Sequence, residues 1–571
     1  MNLISAVPAK KMRLAFWVLC LGFFVLTTQL FSQIENVPVA NPVYDFLKRM
    51  EVKEIITGYY DAVPPISRAD VAKFLLEVDK QRPRLSATDR GILDDFKVEF
   101  GPDMGIGTGN ELSILSGDSR LGERLEGVFS DKEKYLYVYR DSLSSFYVDG
   151  IGATNLHFGN GDSWDNKSFL TVIGGFRFRG TLRDGLGFYL QVTNWNLVGD
   201  KPFALSFPEY QRSSKLQRGE KSFEVTEGYL RVYAGVLDIQ LGRERLLWGR
   251  GYNSRLVVSD NASVMDFARL GATLGRVRYT FLHSWILGQE NLIRNPYSGF
   301  LESSIDSKYF VAHRIELSIP HKLNWGLGEI VIYSRRFPDL AYLNPVNFYK
   351  TIEPEFHNRD NTLLATDLSV FPGKDLELFG SLLVDDIEWG KIGSDYFGNK
   401  FAYNLGFNYI EPAGIVDTDL AFEYIKIDPY VYSHQKPENN YTNDQVSIGH
   451  PLGPNSESLW LRGQYRPSHR LRLSMEVERQ RHGDNIYDRD GNLVKNVGGD
   501  VLFGKRQIDS NDAPFLDGIL TKTYRTAFKI IYEIVNEWFL DFQYEYRYQK
   551  YLLLGKTSQD HFLFLQLRFD L

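Results

Sequence analysis

From about residue 145 to its end, the chain is built of segments in which apolar and polar side chains alternate residue by residue. No other feature constrains its fold as much. Leu540, Phe542, Tyr544, Tyr546 and Tyr548 alternate with Asp541, Gln543, Glu545 and Arg547, and the final segment sets Leu563, Leu565, Leu567, Phe569 and Leu571 against Phe564, Gln566, Arg568 and Asp570. Side chains two apart lie on one face of a strand, so these segments predict strands with a greasy face and a charged one. The pattern recurs upstream. Phe176 and Phe178 oppose Arg177 and Arg179 ahead of a turn at 181–185; Leu376, Leu378 and Leu382 oppose Glu377, Ser381 and Asp385; Leu459, Leu461 and Tyr465 oppose Trp460, Arg462 and Gln464; Leu471, Leu473, Met475 and Val477 oppose Arg472, Ser474, Glu476 and Glu478. Several segments in the middle of the chain alternate poorly.

Two folds bury one face of such strands. A soluble sandwich turns the apolar face inward, whereas a transmembrane barrel turns it toward lipid and its polar face toward the lumen. The barrel reading is preferred for three reasons. The segments reach the roughly 9–11 residues that a tilted spanning strand needs. Aromatic residues, 14% of the chain with 33 Tyr and 39 Phe, are common on the apolar face and near its ends, as at a membrane interface. The N-terminus also reads as an export signal: Lys10, Lys11 and Arg13 precede the apolar run LAFWVLCLGFFVLTT, and Ser32 offers a small residue for cleavage. That run is about fifteen residues, short of the ~20 a spanning helix requires, which disfavours an uncleaved anchor. Cys20 is the only cysteine and lies inside this segment; Val18 and Leu19 before it fit a lipoprotein signal poorly. The exported chain then has no thiol, no disulfide and no cysteine-based metal site, and no cofactor is expected. The expected fold is mainly β, a large antiparallel transmembrane barrel of about sixteen to eighteen strands, preceded by a small α-helical bundle. The chain divides into a signal peptide (1–32), a periplasmic helical bundle or plug (33–105) and the barrel (106–571).

The helical part has its own signals. PVYDFLKRMEVKEI carries Tyr44, Phe46, Leu47 and Met50 at helical spacing; Ser67 caps a second helix with Asp70 three residues on, a capping-box variant; Ser86 stands before a third. The segment VYDFLKRM…IITGYYDAVPPISRADVAKFLLE resembles one surface-layer homology repeat, a type that binds cell-wall polymers. That resemblance implies peptidoglycan or periplasmic proteins as partners of the head. The segment is short for a generous core of its own, so attachment to the periplasmic end or lumen of the barrel is expected.

Two blocks are less generic than the strands. GVLDIQLGRERLLWGRGYNSRLVVSDNASVMDFARL contains Arg243, Arg245, Trp248 and Arg250, and YLNPVNFYKTIEPEFHNRDN contains Asn344, Asn347, Glu355 and His357. Together with the helical head and the long barrel, they resemble the Wzi family of capsule-assembly outer-membrane proteins. The resemblance implies an eighteen-stranded barrel with a helical bundle near its periplasmic mouth, a lectin-like role in organising capsular or other surface polysaccharide, and a monomer in outer-membrane lipid of a Gram-negative cell. The residues themselves allow two roles. An arginine cluster beside an aromatic side chain suits an acidic polysaccharide, with bidentate contacts to uronate carboxylates. The same residues fit a Gly-rich turn whose arginines pair with lumen carboxylates. Glu353, Glu355 and His357 are chemically able to ligate a metal, but a hydrogen-bonded loop is the plainer reading, and no metal is expected.

Other classes are disfavoured. No GxSxG elbow, HExxH helix or phosphate-binding Gly-rich loop with its lysine is present, and no nucleophile stands out with its base, so no enzyme is expected. The net charge of −7 disfavours nucleic acid. The alternative that survives is an outer-membrane porin or uptake channel for small polar solutes, which shares the barrel and its charged lumen. An open or a filled bore discriminates the two.

Overall fold

The structure is a computed structural model that describes residues 33–106, 111–116, 121–183, 185–261, 263–294, 301–356 and 360–571. The export signal and Cys20 lie outside the described residues.

Three helices come first: α1 (Val43–Val52), α2 (Arg68–Lys80) and α3 (Ala87–Glu99). The two expected caps are in place, with the Ser67 hydroxyl accepting from the Asp70 amide at 3.1 Å and Ser86 from the Asp89 amide at 2.9 Å. Their apolar stripes meet in a shared core of Phe46, Leu47, Met50, Val71, Phe74, Leu75, Leu93 and Phe96.

Eighteen antiparallel strands then close into a barrel. They are β1 (Ser145–Gly161), β2 (Lys167–Leu182), β3 (Leu186–Gly199), β4 (Ser222–Ala234), β5 (Leu237–Glu244), β6 (Met265–Leu274), β7 (Val277–Arg294), β8 (Leu301–Ile319) and β9 (Leu323–Ser334). The second half comprises β10 (Asn361–Gly373), β11 (Leu376–Asp386), β12 (Lys400–Ile410), β13 (Thr418–Ile427), β14 (Ser456–Ser468), β15 (Leu471–Asp484), β16 (Ile519–Val535), β17 (Trp538–Tyr551) and β18 (Lys556–Asp570). Each strand pairs with the next, and β18 closes on β1 with Leu565 opposite Leu156. The C-terminal residue completes the seam, its amide donating to the Gly150 carbonyl at 2.7 Å. A closed barrel leaves no unpaired edge, the one sheet form that hydrocarbon tolerates.

The alternation sorts as the pattern demands. Phe176, Leu461, Met475, Leu540, Tyr544, Leu565 and Leu567 are exposed on the outer surface, while Arg179, Glu476, Glu478 and Glu545 are buried on the inner one. The inner charges are matched: Arg525 reaches Glu545 at 2.8 Å and Glu476 at 3.2 Å, and Arg177 reaches Asp570 at 2.6 Å. With an apolar exterior and a polar, closed interior, the protein is an outer-membrane barrel of the Gram-negative type. Connections on one rim are tight turns, such as 235–236, 275–276 and 374–375; the other rim carries long loops, including 200–221, 245–264, 335–360, 428–455 and 485–518. By that asymmetry the tight turns are periplasmic and the long loops extracellular.

Candidate functional site

The wall of an eighteen-stranded barrel is too wide for its own side chains to fill. Two bodies of chain enter it. The helical head enters the periplasmic mouth, leaving a cavity of about 300 Å³ between α1, α3 and the β14–β18 wall. Arg49 of α1 is fully buried and bonds Asp89 at 2.9 Å and Glu411 at 2.9 Å and also Asp419, while Lys53 bonds Glu411 at 2.7 Å. Val52 packs on Phe371 and Ile410 of the wall. The segment ahead of α1 is threaded against β2, β4 and β5: the Ile34 amide donates to Thr181 at 3.1 Å, and Arg231 donates to the Ile34 carbonyl at 2.9 Å and to Asn36 at 2.5 Å. Asp89, Glu411 and Asp417 form a tight carboxylate group. Arg49 and Lys53 already neutralise it, so it is a structural ion cluster.

From the other side, loop 245–264 descends to meet the head. The Leu247 amide donates to the Pro64 carbonyl at 3.1 Å and the Gly249 amide to Ala62 at 2.9 Å. Gly249 has φ +92°, a left-handed conformation, and a Cβ on Gly251 would sit 1.9 Å from the Ser254 carbonyl oxygen, so both glycines of the WGRG stretch are needed for this fold of the loop. Around the meeting point, Val63, Leu246, Trp248, Leu256, Val257 and Val258 form one apolar core with inward residues of the wall (Leu282, Phe310, Ile330, Ile332, Leu383) and with Val431, Tyr432, Tyr441 and Ile448 of loop 428–455. Nearby, loop 200–221 folds inward over β1 and β2, packing Phe203, Phe207 and Tyr210 on Phe169 and His157.

Beside the apolar core runs a buried ionic chain. Lys48 reaches Glu51 at 2.9 Å, Asp61 at 2.7 Å and Glu377 at 2.6 Å; Arg250 reaches Asp61 at 2.5 Å and Asp367 at 2.9 Å; Arg314 joins Asp367 at 2.5 Å. Burial alone would raise the Asp61 carboxyl, but Arg250 and Lys48 outweigh it and hold the group well below the usual carboxylate range. Glu51 goes the other way, pushed up to about 7 by burial and by Asp61 and Glu377, against the pull of Lys48. Tyr252 and Asn253 complete the link to the far wall through Glu377, Glu423 and Glu478.

The candidate residues of the first block therefore separate. Arg250 is buried in ion pairs and Trp248 in the core. Arg245 is half-buried where the loop leaves β5, its amide donating to Glu227 at 3.2 Å. Arg243 faces outward on β5 and pairs with Asp266 at 3.0 Å on the exposed surface. The second block lies elsewhere, on loop 335–360. Asn344 and Asn347 bond each other at 2.9 Å, Asn347 also donates to the Ala341 carbonyl at 2.7 Å, and Glu355 is exposed. Glu353 pairs with Lys350 at 2.9 Å, and His357 lies outside the described residues.

Sequence reasoning passed over a further extracellular surface on loops 387–399 and 485–518. These loops are joined by the Phe397 amide to the Asn511 carbonyl at 3.0 Å. Trp389 is 77% exposed there, and the Lys391 ammonium lies 3.5 Å from the centre of the Tyr396 ring. An exposed indole among amides and charges is the side-chain mixture that stacks on and hydrogen-bonds a sugar ring. The only sequence signal was a tryptophan outside any alternating segment.

The fold is similar to that of Wzi from Escherichia coli, an outer-membrane protein involved in group 1 capsule assembly and described as a carbohydrate-binding β-barrel. The TM-score is 0.53 at 12% identity, covering 94% of this chain and 99% of that one. The resemblance expected from the sequence thus holds at the level of fold. OprD of Pseudomonas aeruginosa aligns with a TM-score of 0.42 at 10% identity over 75% of this chain and 95% of its own, and OpdL of the same organism with 0.42 at 10% over 75% and 98%. No family model matches the chain, and no curated protein matches it.

Proposed function

We propose that the protein binds and organises surface polysaccharide at the extracellular face of the outer membrane, without catalysing a reaction. The observation that carries this reading is the packed core that blocks the lumen at mid-depth. Loop 245–264 and the head meet backbone to backbone at mid-depth, within an apolar core that also holds loop 428–455. A diffusion channel needs a continuous water path along its axis, and packed Trp248, Phe310, Tyr432 and Tyr441 block part of the lumen here, while a cavity of about 300 Å³ remains between the head and the β14–β18 wall. The likeness to Wzi, whose description includes carbohydrate binding, points the same way. Glycan contacts are assigned to extracellular loops 387–399 and 485–518, where Trp389 is within reach of solvent; Arg243, outward on β5, and Asn344, Asn347 and Glu355, on loop 335–360, are not among them. Trp248 and Arg250 serve the loop's own structure. The periplasmic face of the head is the surface assigned to cell-wall or periplasmic partners.

The test is a strain lacking the protein, scored for surface-glycan retention and for uptake of small polar solutes. Loss of retained glycan with normal uptake is expected. Normal retention with impaired uptake would sink the proposal in favour of a channel.

A further inference from the structure

One extracellular loop does not stay above the membrane. Residues 335–356 turn back down the outside of the barrel and lie on the lipid-side face of β7, β8 and β9. On β9, Asn324, Ile330 and Ile332 point inward, so Glu329, Val331 and Tyr333 point outward. These outward side chains are nonetheless buried, together with Phe281, Tyr309 and Val311 of the neighbouring strands, under Tyr342 and Tyr349 of the loop. The loop is stitched down along its length. Arg336 forms a two-point pair with Asp360 at 2.8 and 2.7 Å, the Asp339 amide donates to the Tyr333 hydroxyl at 3.2 Å, Tyr279 donates to the Pro345 carbonyl, and Tyr349 stacks on His313 at 4.5 Å.

Beneath it is a polar pair that a lipid-facing wall would not tolerate bare. His313 and Glu329 stand directly opposite each other on β8 and β9 and are 3.1 Å apart. The Glu329 carboxylate is covered by the Tyr349 and Lys350 amides, which donate to it at 2.9 and 3.2 Å. The loop thus replaces lipid as the outer neighbour of this patch, at the level of the upper part of the spanning strands. Lower on the same strands, Ile315, Trp325 and Leu327 are exposed as ordinary lipid-facing positions. The outer surface of the loop continues that belt. Phe337 is 92% exposed, Leu340 82%, Val346 83% and Phe348 54%. Four large apolar side chains on one short segment are out of place in water.

We propose that residues 335–356 form a strap embedded in the outer leaflet, with Phe337, Leu340, Val346 and Phe348 in contact with lipid acyl chains. The proposal stands apart from the glycan reading. It rests on continuity between the strap and the lipid-facing wall, at the same depth and on the same side of the sheet.

The test is nitroxide labelling of the full chain carrying Cys20→Ser, with single substitutions Val346→Cys and Leu340→Cys, reconstituted in phosphatidylethanolamine–phosphatidylglycerol vesicles. Both side chains project from the surface, so neither substitution disturbs packing. Leu327→Cys gives the lipid-facing reference and Ile508→Cys, on extracellular loop 485–518, the aqueous one. The expected result is relaxation by oxygen at the level of Leu327 and loss of relaxation by a water-soluble nickel chelate. Relaxation by the chelate at the level of Ile508 would overturn the proposal. So would protection from both agents with dipolar broadening between labels, which would show a second copy of the chain in place of lipid.

Discussion

Arg250 is the clearest place to test whether the lumen is held shut by the contacts described. Its guanidinium bridges the head and the wall by way of Asp61 and Asp367, and it is buried. Removing one partner of a buried ion pair costs about 3–5 kcal/mol, because a charge is left without compensation. In Arg250→Ala the loss falls at the lower end, about 3 kcal/mol, since Asp61 keeps Lys48 at 2.7 Å and Asp367 keeps Arg314 at 2.5 Å. If that energy holds head to loop, local opening becomes about a hundredfold more frequent. The reporters are built in: the Leu247 and Gly249 amides donate to the head carbonyls of Pro64 and Ala62, so their hydrogen exchange measures separation of the two bodies. Arg243→Ala is the matched control. It breaks an exposed pair with Asp266, worth about 0–1 kcal/mol, and should change the same amides by less than about fivefold. Equal exchange in the two variants would refute the claim that buried ion pairs lock the head to the descending loop.

Three further outcomes follow from the same structure. Burial lowers His434 to about 4, with Lys400 adding, and lowers His450 to about 3. Both folded values lie below the unfolded 6.5, so the stabilisation is complete above pH 6.5 and is lost as pH falls through the window below it. Loop 428–455 should therefore loosen on acidification, read as faster exchange of the Tyr441 and Ile448 amides after correction for intrinsic rates; a flat profile would count against it. Ser67→Ala removes the α2 cap and should cost about 1 kcal/mol, while Ser67→Asp restores most of it; the check is amide protection across the first turn of α2. Leu565→Arg puts a charge on the lipid face of β18 and should cost about 2–4 kcal/mol in urea unfolding from vesicles. At Gln566, on the lumen face beside Asn155, the same substitution should cost clearly less.

How far the sequence could be read depended on how many sides of a strand meet protein. β17 and β18 have lipid on one side and a polar lumen on the other, and their alternation was legible residue by residue. β8 and β9 were not, because both of their faces are covered by protein at the extracellular end. Ile330 and Ile332 pack against the descending loops inside, and Val331 and Tyr333 against the strap outside. A strand buried on both faces reads as a continuous apolar run, here IVIY, with no period of two. The three helices were legible because helical apolar spacing marks α1 and Ser caps mark α2 and α3, all local signals. Loop 245–264 was recognised as unusual, but its direction was not, since Arg250 finds Asp61 and Asp367 only after the chain has folded. The strap was invisible for the same reason. Nothing local in RRFPDLAYLNPVNFYK says that Tyr342 and Tyr349 cover a carboxylate on the outside of the barrel.

The charged lumen, taken alone, argued equally for a porin and for a filled barrel. The distinction lies in who neutralises whom. In an open channel the wall charges face water and counter-ions. Here Glu377, Asp367, Asp419 and Glu411 of the wall and its turns are met by Lys48, Arg49, Lys53 and Arg250, which belong to the head and the descending loop. These wall charges are one half of a docking surface whose other half is the same chain, while others, such as Arg525 with Glu476 and Glu545, pair within the wall. Loop 245–264 leaves the wall at Arg245, beside Glu227 of β4, and reaches the head through the Leu247 and Gly249 amides and Arg250. Load passed from β5 into this loop is therefore borne by hydrogen bonds and ion pairs that end on the head.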